Sequence, residues 1–155
     1  MTYRISGLDP ANFDALRRAN KATLAAHNAA RVVATGKPGF PCRVTLDDAE
    51  PGESLILLHH VSHDVETPYR SAYAIYVRES AKLAASFIDE LPPVFANRPM
   101  AFRAFDAAGM LQGAALAAPG EADAAIRDLF EEPQIAYIDA HNAAHGCFAA
   151  RVERN

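Results

Sequence analysis

The stretch from Ile135 to Val152 constrains this chain more than any other, because it reads as a β-hairpin whose two faces differ in chemistry. With His141 opposite Cys147 across a five-residue loop, Asp139 faces Ala149 and Tyr137 faces Arg151. Side chains alternate along a strand, so these residues share one side of the sheet. Ala136, Ile138, Ala140, Phe148, Ala150 and Val152 take the other side, which is wholly apolar. The hairpin thus sets its back against a core and presents Asp, His, Cys and Arg together on its front.

The rest of the chain supplies the elements around it. Tyr3-Arg4-Ile5 suits a short edge strand. Asp9-Pro10 pairs an N-cap residue with proline at the first helical position, and helical signal continues from Ala11 to about Asn28. Gly36 to Pro41 holds two prolines and two glycines and is a loop, and Asp48 to Glu53 is an acidic turn. Arg31 to Ala34 reads as a brief strand. Ser54 to Val61 reads as a central strand, apolar without alternation up to Leu58, and Tyr73 to Arg78 is rich in aromatic and β-branched residues. Ala81 to Glu90 is expected to form a short helix ahead of Pro92-Pro93. Met100–Asp106 and Met110–Ala117 form a hairpin around Gly109, and a helix runs from Pro119-Gly120 to Glu132. Hairpin connections dominate. The expected class is α+β: a mostly antiparallel sheet of about five to six strands, with about three helices packed mainly on one face, in a single domain over residues 1–155.

Composition narrows the function classes. Half of the 155 residues are hydrophobic, enough for a real core. The net charge is −4 and the 15 basic residues are scattered, so no nucleic-acid partner is expected. No signal peptide and no membrane span is visible. Two cysteines, Cys42 and Cys147, suit free thiols in a reducing cytosol, so a cytoplasmic location is expected.

Five segments, in order, carry a resemblance: Gly39-Phe40-Pro41-Cys42-Arg43, Asp48 to Glu53, Ser62 to Arg70, Ile75 to Glu79, and His141-Asn142-Ala143 with Gly146-Cys147-Phe148. Together they resemble the bacterial "domain of unknown function 1203" family across almost the whole chain. The resemblance implies a small single-domain bacterial protein and brings no activity with it. The chain departs from the family pattern at Tyr73-Ala74, where Gly-Pro is expected, and at Ala144-His145, where Arg-Pro is more usual.

Three kinds of chemistry compete for these residues. A cysteine-dependent enzyme would use Cys147 as nucleophile, His141 as base and Asp139 as the partner that orients the base. Asp139 lies about 7 Å along the strand from His141, however, and the same residues suit an ordinary sheet face with Cys147 as filler. A metal site is not expected: His141-x3-His145-x-Cys147 falls on a turn and lacks four well-placed ligands. No cofactor is expected either.

The best-supported reading is a pocket for a small polar or anionic ligand. It would be built from Cys42, Arg43, Tyr69, Arg70, His141, Asn142, Cys147 and Arg151, because arginine presents a planar fork that grips carboxylate or phosphate. Against it, Arg43, Arg70, Arg78, Arg103 and Arg151 could all pair with acidic neighbours instead. A structural role as a homodimer, joined through a sheet edge or face, is the remaining alternative.

Overall fold

The computed structural model of the chain describes residues 1–155 and divides nine strands between two antiparallel sheets. The strands are β1 (Tyr3–Ser6), β2 (Ala30–Val33), β3 (Ser54–His63), β4 (Ser71–Arg78), β5 (Ser86–Ile88), β6 (Met100–Phe105), β7 (Leu111–Ala117), β8 (Tyr137–Asn142) and β9 (Phe148–Arg154). Helices α1 (Asp14–Arg17), α2 (Lys21–Ala26) and α3 (Ala122–Phe130) complete the α+β architecture. The larger sheet runs β5-β1-β9-β8-β6-β7 and the smaller runs β2-β3-β4. No helix is long and apolar enough to cross a membrane.

Two cores follow from the two sheets. α3 buries Ala122, Ile126 and Phe130, spaced four apart and therefore on one stripe, against Phe102, Ile138 and Val152 of the larger sheet. Burial of Ile126 or Phe130 contributes roughly 1.5–3 kcal/mol each. α2 adds Leu24, and the turn before α1 adds Phe13, to a second core built on Ile56, Leu58, Ile75 and Val77 of the smaller sheet. The helices therefore serve two sheets, and the single sheet of five to six strands gives way to a pair.

Other local expectations are corrected for identifiable reasons. The Ala11–Asn28 helix breaks at Asn20, whose extended backbone and side chain cap α2 through Thr23 N–H. Residues 81–90 do not form a helix. Ser86–Ile88 is instead a strand paired with β1, anchored where Asp89 exchanges hydrogen bonds with the Tyr3 backbone. Local helix propensity yields there to a long-range partner. β1 is consequently an inner strand, between β5 and β9, and not an edge.

The terminal hairpin forms, with a register shifted by two residues along Tyr137–Asp139 and by one at His141. Asp139 pairs with Arg151, Ile138 with Val152 and Tyr137 with Glu153, while His141 pairs with Phe148. A bulge at this point inserts Ala149 into β9, and a one-residue slip exchanges faces. Ala149 joins the larger core, and Phe148 turns toward His60 and His141. The expected opposition of His141 to Cys147 and of Asp139 to Ala149 is replaced accordingly.

The smaller sheet lies across the face of β6, β8 and β9 that carries the polar residues. Arg103 donates to the Tyr73 hydroxyl at 2.9 Å, and Arg151 donates to the Ser62 carbonyl at 3.3 Å. The segment from Phe40 to Ala49 threads along this cleft. Its backbone bonds reach Tyr76 on one side and Ala85 and Val94 on the others, and Cys42, Val44, Leu46 and Ala49 are fully buried.

Candidate functional site

One end of the cleft is closed. Asp139 projects from β8 and is 1% exposed. Arg151, opposite it on β9, donates two hydrogen bonds to its carboxylate, from Nε at 2.7 Å and Nη2 at 3.0 Å. The Arg151 guanidinium also lies 4.3 Å from the centre of the Tyr137 ring. The Tyr137 hydroxyl meets His63 Nε2 at 2.7 Å, and His63 Nδ1–H donates to the Tyr69 carbonyl at 2.9 Å. Phe105 stacks on His63 at 4.0 Å between ring centres. Every charged group here has an opposite charge beside it.

The other end is open. It holds a cavity of about 620 Å3 bounded by Pro38, Gly39, Pro41 and Arg43 of the threaded segment and its approach, Leu57 of β3, Tyr73, Ala74 and Tyr76 of β4, Arg98-Pro99, and the hairpin loop at Asn142–His145 and Cys147. No aspartate or glutamate lines it. Arg43 is 2% exposed and has no carboxylate partner. Its Nε donates to the Phe148 carbonyl at 2.8 Å, its Nη1 to the Pro41 carbonyl at 2.5 Å, and its Nη2 to Cys147 Sγ at 3.2 Å. Burial lowers the Arg43 pKa from its ordinary value, and the neighbouring sulfurs oppose that shift.

Cys147 receives a second donor from Asn142 Nδ2 at 3.3 Å. The loop geometry explains why. Asn142 N–H donates to the Cys147 carbonyl, Gly146 N–H returns to the Asn142 carbonyl, and Gly146 takes a φ of 75°, where glycine has no steric cost. That turn aims the Gly146 carbonyl at His141, whose Nδ1–H donates to it at 2.9 Å. Burial depresses the His141 pKa, partly countered by this bond, so the ring is held neutral. The Tyr73 ring packs edge-on against it at 5.0 Å.

Arg98 reaches the same cavity from the turn before β6. It grips Asp48 with two parallel bonds, at 2.7 and 2.8 Å. Burial alone would raise the Asp48 carboxyl, but the Arg98 fork and the Gly39 and Phe40 N–H groups hold it below its usual value. Arg98 is therefore neutralised, and Arg43 is the cation left over. No three of the His, Cys, Asp and Glu side chains gather in a way that could hold a metal ion.

The sequence candidates thus sort by place. Arg43, Asn142 and Cys147 meet at the cavity. Cys42 is fully buried, its sulfur accepting N–H bonds from Val44, Thr45 and Arg78. His141 is buried behind the loop, and Asp139 and Arg151 belong to the closed end. Tyr69 offers its carbonyl to His63 there, and Arg70 pairs with Asp64 at the surface. Arg98, Tyr73, Tyr76 and Pro99 complete the cavity without being among the sequence candidates. For Arg98 the only available signal is its place just ahead of β6, whose first residue pairs with Asn142.

No curated protein and no solved structure matches the chain. The family described as "protein of unknown function (DUF1203)" matches residues 39–154, a span that contains every wall of the cavity except Pro38, and the chain belongs to that family.

Proposed function

We propose that the chain binds a small anionic molecule in the cavity beside Cys147. One observation carries the reading: Arg43 keeps its charge buried at a cavity wall where the chain supplies no carboxylate. A buried cation without a counter-charge is costly, and an anion bound at this wall would supply the missing charge. The anionic group would lie against Arg43, Asn142 and Cys147. The apolar remainder of the ligand would pack on Tyr73, Tyr76, Leu57 and the prolines.

The test is titration calorimetry with inorganic phosphate and a series of small aliphatic and aromatic carboxylates. Binding is expected for at least one, with loss in Arg43→Met. Ala144→Glu places a carboxylate at the exposed loop rim without touching the core, and should weaken binding roughly threefold to tenfold. Silence with every anion, or affinity unchanged in both variants, would reject the reading.

Thiol chemistry at Cys147 is a second reading, favoured by the two N–H donors that converge on its sulfur at the cavity wall. In that reading Arg43 is the group that serves the sulfur. His141 as base would first have to leave the Gly146 carbonyl or act through Nε2, and Asp139 is engaged by Arg151.

A further inference from the structure

On the opposite flank, β7 is the outermost strand of the larger sheet. Its sequence, Leu111-Gln112-Gly113-Ala114-Ala115-Leu116-Ala117, carries no charge and no proline. Only β6 pairs with it, so alternate backbone N–H and C=O groups point away from the sheet. None of its residues makes a backbone hydrogen bond outside the sheet. The other edges are guarded. β5 has three residues, β2 carries Arg31, and β4 is bridged by Cys42 and Arg43 at Tyr76 and Arg78. Shortness, charge and cover protect those edges, and β7 has only a bulge at Gln112 near its start, with Gly113 to Ala117 regular beyond it. Leu116 stands 79% exposed on it.

Beside this edge, between β7 and α3, runs a groove of about 540 Å3. Ala115, Leu129 and Ile135 give it an apolar lining, and Glu121, Asp128 and Glu132 contribute its only charges. None of these three carboxylates is in an ion pair. The groove is therefore the electrostatic opposite of the Cys147 cavity.

We propose that β7 and this groove dock an extended, basic segment of a partner protein by strand addition. The segment's backbone pairs with β7. Its side chains alternate, and the set that faces α3 carries both the apolar residues that enter the groove and the lysines or arginines that reach its three carboxylates. A second copy of the chain is the poorer occupant. Antiparallel pairing of β7 with itself across a two-fold axis would set the two α3 helices side by side, with like-charged carboxylates facing each other.

The test uses the full chain and a fluorescein-labelled heptapeptide, Lys-Thr-Val-Thr-Val-Thr-Lys, whose lysines and valines share one face, with the peptide bearing glutamate in place of lysine as control. Fluorescence anisotropy should show saturable binding of the basic peptide, weakening with salt, and none of the acidic one. The double variant Asp128→Lys, Glu132→Lys changes two exposed side chains near the C-terminal end of α3, where cations suit the helix. It should bind the basic peptide roughly tenfold more weakly and acquire affinity for the acidic one. Circular dichroism checks that the variant is folded. Equal binding of the two peptides, no binding of either, or unchanged affinity in the double variant would overturn the proposal. So would a homodimer, seen by light scattering, that Leu116→Lys dissolves.

Discussion

The two ends of the cleft between the sheets are built from similar side chains and reach opposite electrostatic outcomes. At the closed end Arg151 has Asp139, held in a two-bond grip and roofed by Tyr137. At the open end Arg43 has two backbone carbonyls and a sulfur, and Asp48 of the same threaded segment is spent on Arg98. The first arrangement is complete within the chain and reads as architecture. The second lacks a negative charge that a ligand can supply. Closeness to the terminal hairpin does not separate the two, since Arg151 lies in it and Arg43 bonds to it. What separates them is whether the facing strand carries an acid.

The largest expected effect is at the closed end. Asp139→Ala leaves Arg151 half-buried without its partner and should cost about 3 kcal/mol in urea unfolding. Anion binding at the cavity should survive it, and loss of binding in the folded variant would join the two ends that the comparison separates. Next in size, Arg43→Met removes a buried cation and leaves two carbonyls without its donors. A cost of about 1–2 kcal/mol is expected, smaller than at Asp139, together with loss of anion binding. A larger stability loss at Arg43 than at Asp139 would make Arg43 the more structural of the two.

A smaller effect should follow pH. Burial holds both His141 and His60 below their ordinary value of 6.5, with His59 and Arg43 adding to the shift at His60. The unfolded chain then takes up protons that the folded chain refuses. The contribution of these two histidines is therefore constant above 6.5 and falls as pH drops below it. Scanning calorimetry between roughly pH 5 and 8 should show the melting temperature fall on the acid side, and His60→Leu should flatten part of that fall. A melting temperature that rises on acidification would mean that these histidines gain an anionic partner in the folded chain.

Much of this was legible in the sequence where the signal is local. The stripe at Ala122, Ile126 and Phe130, the turn at Gly109 between β6 and β7, and the unbroken apolar run of β3 all announce their elements by periodicity and length. What escapes is decided by distant partners. Residues 86–88 become a strand because β1 needs a neighbour, and no spacing within 81–90 records that. The bulge at Ala149 breaks the register of the hairpin and carries Phe148 from the core face to the histidines. Arg43, Asn142 and Cys147 were visible as chemistry-bearing residues in loops, and they do share a wall. Tyr69 and Arg70 sit in a loop of similar composition and lie elsewhere. Composition identifies candidate residues, and only topology says which loops meet. Tyr73-Ala74 and Ala144-His145, the two departures from the family pattern, both line the cavity.

The most direct measurement is the rate of Cys147 alkylation by iodoacetate relative to iodoacetamide, read by mass spectrometry on the native protein. The two reagents differ in one negative charge, so their ratio reports the sign of the cavity at the sulfur. An anion-receiving cavity predicts a ratio higher for native Cys147 than for the same cysteine in the denatured chain, falling with added salt and lost in Arg43→Met. Cys42, buried beneath, should label only on unfolding. A ratio equal to or below that of the denatured chain, or no native labelling of Cys147 by either reagent, would contradict a cavity built to receive anions.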